Sequence, residues 1–369
     1  MLIKGAILSS VCQQRPYDQS KPLSILEIEL EDPRPNEILV RIEAAGICHS
    51  DLSVVDGVRI RPVPMLLGHE AAGIVVKTGS NVSDLEIGQR VIMTFSPRCG
   101  DCLGCRSFGE MNCLKGSNSN GLGELLAGGS RLKINDNKIF HHLGVSAFAT
   151  HSVVDRSSVV PVDSDVPPAV AALLGCAVLT GGGALINVGK INENTTVAIV
   201  GLGGVGLAGL ITAKALNCKS ILAIDVNEKK LELARNLGAT LAVTPDVALQ
   251  DGIRSDVVLE AVGNTRAIET SISLTAFGGV TILAGLTAPD ATVSFSSLKL
   301  VAESRKIIGS YLGSSLPSRD IPYFVQLWRS GKFPVESLIS GIISLEDINA
   351  GMEKLASGDA LRQVIIFEN

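Results

Sequence analysis

VAIVGLGGVG (residues 197–206), followed nineteen residues later by Asp225 at the end of ILAID (221–225), decides how this chain folds. The run VAIVG has the length and β-branched content of a buried parallel strand. The glycines after it satisfy G-x-G-x-x-G as Gly201, Gly203 and Gly206, with Gly204 and Val205 opening an apolar helix over 204–216. That pattern alone is common by chance, but a preceding strand, a following helix and an acidic residue at the next strand end make it specific. Gly201 would make the tight turn, Gly203 would let the backbone approach a pyrophosphate, and Gly206 would let helix and strand pack closely. The helix N-terminus would then face the phosphates. Asp225 could accept hydrogen bonds from both ribose hydroxyls and would repel a 2′-phosphate, which favours NAD over NADP.

Working outward, strands and helices alternate from about 178 to 308. A charged helix spans Glu228 to Leu237, and VVLEAVG (257–263) and GGVTILAG (278–285) supply further strands. Such alternation predicts a parallel sheet with helices on both faces. Residues 1–160 read instead as mostly β, with ILVRIEAAGI (38–47), AAGIVVKTG (71–79) and RVIMTF (90–95) separated by turns. Between about 96 and 137 the hydrophobic period is lost in a Cys-, Gly- and Ser-rich stretch, which calls for another organiser such as a metal. The tail carries a helix-like segment, EDINAGMEKLASG, and a strand, RQVIIFEN, expected to return to the first domain.

With 369 residues, 46% hydrophobic and 19% charged, the chain can form two or three cored domains. Its 32 basic and 37 acidic residues leave a net charge of −5, which argues against a nucleic-acid binder. Two uncharged stretches, between Asp165 and Lys190 and between Glu193 and Lys214, are long enough to span a membrane. Their glycines and prolines read better as buried strand–turn–helix pieces. MLIKGAILSS lacks a cleavage pattern, so the expectation is a cytoplasmic protein with no membrane partner and with reduced cysteines.

Cys99, Cys102, Cys105 and Cys113 stand as C-x2-C-x2-C-x7-C. Four thiolates gathered so closely suit a structural zinc. Disulfides and an iron–sulfur cluster are the rivals, and a reducing compartment disfavours the disulfides.

GICHSD (46–51), GHE (68–70), the four-cysteine loop, GC (175–176) and GLGGVG (201–206) follow one another as in the zinc-dependent medium-chain alcohol dehydrogenases, which the whole chain resembles. The resemblance implies a GroES-like, β-rich catalytic domain (1–177 and 309–369) into which a Rossmann-type NAD-binding domain (178–308) is inserted. It implies a catalytic zinc on Cys48, His69 and Cys176, hence two zinc ions per chain. Asp51 would orient the zinc-bound histidine from behind. Glu70 matches an acidic residue assisting ligand exchange, with a salt-bridged glutamate as the alternative. Ser50 matches the first hydroxyl of a proton relay and Thr180 a residue near the nicotinamide. Arg362 matches an arginine reaching the cofactor pyrophosphate. Lys230 matches a lysine on the adenosine ribose, although a solvated helix charge is as good a reading. Phe95, His142, Leu143 and Leu286 match pocket walls, while Cys12 and Cys218 have no assigned role.

Departures from the family pattern matter equally. Ser53 stands where a histidine often ends the proton relay, and it cannot act as a base near pH 7. His49 stands where an arginine often binds the pyrophosphate. LKGSNSNG (114–121) lacks the arginine of the glutathione-dependent formaldehyde dehydrogenases. The expectation is an NAD-dependent dehydrogenase of a primary, aromatic or allylic alcohol, with a polyol dehydrogenase as the alternative. A homodimer is expected, with the homotetramer of other branches as the rival.

Overall fold

The structure, a computed structural model, describes residues 1–11 and 13–368; Cys12 lies outside the described residues. The chain divides into two compact units, Met1–Cys176 with Ile339–Asn369, and Ala177–Leu338.

The first unit is β-rich. Strands Leu2–Leu8, Leu23–Leu30, Leu132–Ile134, Asn137–His141 and Met65–Leu66 close into a small barrel. Its inward positions, among them Ile3, Ile7, Ile28, Leu66 and Ile139, form one apolar cluster. A second sheet runs in the order Val159–Val162, Arg90–Met93, Ala71–Thr78, Glu37–Ile47, Arg362–Ile366, Ile339–Ile343, with His151–Asp155 also paired to Glu37–Ile47. The long strand Glu37–Ile47 sets the register. Ala45 stands opposite Ala71, and Ile47 opposite Gln363. Residues 48, 69, 70 and 362 therefore come to one end of this sheet. The returning tail is part of the first domain.

Between Leu66 and Ala71 the chain holds Gly68 at φ +92°, where an added Cβ would sit 2.5 Å from the Phe148 backbone nitrogen. Within the cysteine-rich stretch a helix forms at Leu114–Leu122, although LKGSNSNGL carries no apolar period. The Cys113 sulfur accepts from the Gly116 N–H at its start, and Gly123 ends it with φ +67°. Capping, not amphipathicity, makes this helix.

The second unit is a parallel sheet of order Leu241–Val243, Ser220–Ile224, Thr196–Val200, Ser255–Glu260, Thr275–Leu283, Lys306–Gly309. Chain order reverses beside Thr196–Val200, so the glycine turn at 201–206 sits at the switch point of a Rossmann-type sheet. Segment 309–338 packs with this unit, whereas the sequence reading gave it to the first domain. Three consecutive glycines explain why. Gly181, Gly182 and Gly183 flatten one stretch of helix so that Val205, Phe324 and the 313–315 turn press against its backbone. Ser315 Oγ donates to Leu179 O at 3.2 Å, and Asn187 Nδ2 to Gly313 O at 3.2 Å. That apolar helix, Pro168–Val188, is long enough to cross a membrane, but 89% of its most apolar window is buried inside the fold.

Helix propensity alone favours Gly181→Ala by about 1 kcal/mol. An added Cβ, however, would lie 2.0 Å from the Val205 carbonyl oxygen, so the substitution is expected to destabilise by about 1–3 kcal/mol. Gly121→Ala, on an exposed helix position with nothing within 4 Å, should be neutral or stabilising. Denaturant midpoints of the two variants check this; equal midpoints would contradict the packing argument.

Candidate active site and metal centres

Where Glu37–Ile47 ends, Cys48 caps a short helix, His49–Val55. His69 and Glu70 precede Ala71–Thr78, and Cys176 lies in a π turn at 174–178 of the long helix. That turn rests on the sheet through Gly175, where a Cβ would meet the Met93 carbonyl at 2.3 Å. The ligand atoms of Cys48, His69, Glu70 and Cys176 all lie within 4.8 Å of one another, and all four residues are buried. His69 Nε2 is 3.5 Å from Cys176 Sγ. A tetrahedral ion at about 2.3 Å from sulfur and about 2.0 Å from nitrogen would set these atoms about 3.6 Å apart. The donor set and its spacing fit zinc.

Behind the donors stands Asp51, fully buried. Its Oδ2 accepts from the Cys48 N–H at 3.1 Å, and its Oδ1 lies 3.0 Å from His69 Nδ1 and accepts from the Gly68 N–H at 3.2 Å. Burial would raise this carboxyl, but His69 and His142 more than offset it and hold it at about 2. Glu70 Oε1 accepts from Arg362 Nη1 at 3.1 Å, whereas its Oε2 has no partner. Arg362 also donates to the Ile47 carbonyl at 3.3 Å and is 4% exposed. Its guanidinium is thus turned into the cluster of Cys48, Glu70 and Cys176. The His69 ring meets Phe95 and His142 edge-on, with centroids at 5.3 and 5.4 Å.

The four cysteines of the loop also converge, their sulfurs all within 4.8 Å of one another. Cys99 and Cys105 are 3.8 Å apart, as are Cys102 and Cys113. These are the edges of a tetrahedron around one ion with bonds of about 2.3 Å, and far beyond a disulfide bond of about 2.05 Å. Backbone N–H groups of Cys99, Gly100 and Leu114 point at Cys113, Cys105 and Cys102, which stabilises thiolates.

In the second unit, Gly201 has φ +92°, and a Cβ on Gly206 would lie 1.8 Å from Gly201 O. Gly203 faces open space, with no atom within 4 Å of a Cβ. Asp225 accepts from the N–H groups of Leu202 (2.7 Å) and Asn227 (2.9 Å), which fixes its carboxylate beside the turn. Lys230 is half-buried on helix Glu228–Asn236, Thr180 is buried, and Leu286 is exposed. In the first unit, His49 is exposed and Ser50 half-buried. Ser53 Oγ donates to the Ser50 carbonyl at 3.0 Å. Leu143 is buried, and burial raises the half-buried Cys218 thiol of the second unit to about 11, an inert group.

Residues 34–164 match the family described as alcohol dehydrogenase GroES-like domain, and residues 204–330 the family described as zinc-binding dehydrogenase. An alcohol dehydrogenase zinc-binding domain protein from Burkholderia ambifaria is 28% identical with a TM-score of 0.92, both chains covered in full. Benzyl alcohol dehydrogenase from Acinetobacter calcoaceticus is 27% identical with a TM-score of 0.91, again over 100% of both chains. Acetophenone reductase from Geotrichum candidum, solved with NAD, is 26% identical over 99% of this chain and 97% of its own, with a TM-score of 0.80. The fold and its buried donors define a zinc-binding oxidoreductase. The chain belongs to the zinc-dependent medium-chain alcohol dehydrogenase family.

Two features escaped sequence reasoning. One is the partner of the salt-bridged Glu70, which is Arg362, 292 residues away. The other is the divergence of two adjacent histidines. His142 Nδ1 lies 3.1 Å from Asp51 Oδ1, while His141 turns away and its Nε2 accepts from the Arg131 N–H at 3.2 Å. Burial first, then the charges of Arg131 and Lys138, lower His141 from an ordinary 6.5 to about 3. The unfolded chain therefore binds this proton near pH 6.5 and the folded chain does not. Its contribution to stability is complete above pH 6.5 and is lost as pH falls toward 3. From pH 6.5 to 5 the loss should reach about 1.6 kcal/mol, and His141→Gln, which keeps an acceptor for Arg131, should remove that component. Parallel stability–pH curves for the two proteins would contradict the assignment.

Proposed function

We propose that this protein is an NAD-dependent alcohol dehydrogenase that reversibly oxidises a primary, aromatic or allylic alcohol to its aldehyde. The observation that carries the reading is the buried convergence of Cys48, His69 and Cys176, with Asp51 behind the imidazole. The likeness to a benzyl alcohol dehydrogenase and to an acetophenone reductase solved with NAD supports an aromatic substrate and this cofactor. Cys48, His69 and Cys176 would hold the catalytic zinc, and Cys99, Cys102, Cys105 and Cys113 the structural one. When bound, the catalytic zinc supplies a Lewis acid that acidifies the alcohol, and NAD supplies the hydride acceptor.

The chain's own residues do the rest. Asp51 fixes the His69 tautomer, so that Nε2 is free to ligate. Ser50, second residue of its helix, takes the alcohol proton at its hydroxyl and passes its own outward. Ser53, committed to the Ser50 carbonyl, does not end this relay as a base. The backbone N–H groups opening helix Gly204–Ala215 receive the pyrophosphate, and Asp225 receives the ribose hydroxyls. Phe95 and His142 pack against the ligand histidine from two sides and would form part of the substrate wall. The edge strand Lys306–Gly309, flanked by exposed Leu298 and Val301, supports a homodimer. A cytoplasmic location, which keeps thiols reduced, suits the two cysteine-borne metal sites.

Elemental analysis should find two zinc ions per chain. Cys99→Ser should lower stability and loosen the loop, whereas Cys48→Ser should leave a folded protein without turnover. One zinc per chain, or iron, would sink the two-zinc assignment.

Steady-state kinetics with benzyl alcohol should give a higher kcat/KM with NAD than with NADP. Asp225→Ala should weaken NAD by roughly ten- to a hundredfold and narrow that gap, because the ribose loses a charged acceptor worth about 1.5–3 kcal/mol. A wild-type preference for NADP would refute the role given to Asp225.

A further inference from the structure

We infer that His142 is a positioning residue of the candidate catalytic metal centre: its buried Nδ1 stands 3.1 Å from Asp51 Oδ1 and presents its N–H to the carboxylate that orients His69. This rests on the reading of Cys48, His69 and Cys176 as a zinc site.

Asp51 is densely engaged. One oxygen takes the Cys48 N–H, and the other takes the Gly68 N–H and faces His69 Nδ1. His142 Nδ1 lies 3.1 Å from that second oxygen, off the line of a well-aligned hydrogen bond, and has no aligned partner elsewhere among the described residues. Both side chains are buried, His142 at 1% and Asp51 at 0% exposure. The tautomer follows from electrostatics. A bare Nδ1 would set its lone pair against a carboxylate with no water to screen it, whereas Nδ1–H turns the same contact into a charge-assisted attraction.

The backbone holds the ring in place. The His142 carbonyl accepts from the N–H groups of Val145 (3.0 Å) and Ser146 (3.2 Å), and its own N–H donates to Ser146 Oγ at 2.9 Å. Ser146 Oγ in turn donates to the Leu66 carbonyl at 2.9 Å, which ties the turn to the segment leading to His69. A phenyl ring in place of His142 would fill nearly the same space and keep the edge-on contact with His69. It would lack only the donor, so the inference concerns chemistry and not shape.

The experiment measures zinc release from the fully loaded protein to a chromogenic chelator. Wild type should release zinc in two phases, and the phase missing in Cys48→Ser reports the catalytic centre. His142→Phe should speed that phase about tenfold or more and leave the four-cysteine phase unchanged. His142→Asn, whose amide N–H can stand near the imidazole Nδ1, should stay within about threefold of wild type. A purely structural role predicts the reverse order, because phenylalanine fills the site and asparagine leaves a cavity. Should His142→Phe fail to fold, His142→Met removes the same donor with a flexible side chain. Wild-type release from the folded donor-free variant, or equally fast release from His142→Asn and His142→Phe, overturns the inference. A single wild-type phase that Cys48→Ser leaves intact overturns the metal reading and the inference together.

Discussion

Glu70, Cys48 and Cys176 are buried within one small volume, and Arg362 is the permanent cation held against them among the described residues. With both thiols ionised, three negative charges, on Cys48, Glu70 and Cys176, face that guanidinium. An uncompensated charge in such a place costs several kcal/mol, so the site demands a further cation. A divalent ion on Cys48, His69 and Cys176 answers that demand. The unpartnered Glu70 Oε2 points to the same imbalance. The hydrogen bond the two thiols share draws Cys48 well below its ordinary range and pushes Cys176 well above it, so a cation is what would let both ionise together.

Cys48, Glu70 and Arg362 are brought together by one strand. Glu37–Ile47 pairs with strands from three distant parts of the chain. Its register leaves Cys48, Glu70 and Arg362 at a common end, since a slip of one residue would turn each side chain to the opposite face. Gly46 completes the arrangement, because a Cβ there would collide with Glu70 Oε1 at 2.1 Å. Strand pairing and charge placement are here a single constraint.

This explains what could be read from the sequence. The glycine turn and the four-cysteine loop are local: their geometry depends on residues within a few positions, so VAIVGLGGVG and C-x2-C-x2-C-x7-C are informative by themselves. Cys48, His69 and Cys176 were legible only as a pattern shared with a family, since nothing in their flanks marks them as ligands. The position of Arg362 was legible but its direction was not; its guanidinium faces Glu70, a contact that exists only after the tail strand docks. The helix at Leu114–Leu122 hid because caps hold it and no periodicity announces it. Segment 309–338 was given to the wrong unit because its attachment depends on three glycines of a distant helix.

The two candidate metal centres differ in when they can assemble. The four-cysteine loop gathers its donors within fifteen residues, from Cys99 to Cys113. The other centre spans 129 positions, from Cys48 to Cys176. Closing that longer loop costs about 2 kcal/mol more in chain entropy, and the donors meet only once the sheet, the short helix and the π turn are in place. An ion in the loop would therefore act early and locally, ordering a segment that has no core of its own. An ion on Cys48, His69 and Cys176 would arrive at a site already shaped by strand pairing and would stabilise the folded unit as a whole. Similar ligand chemistry thus serves two purposes, and the sequence separation of the donors decides which.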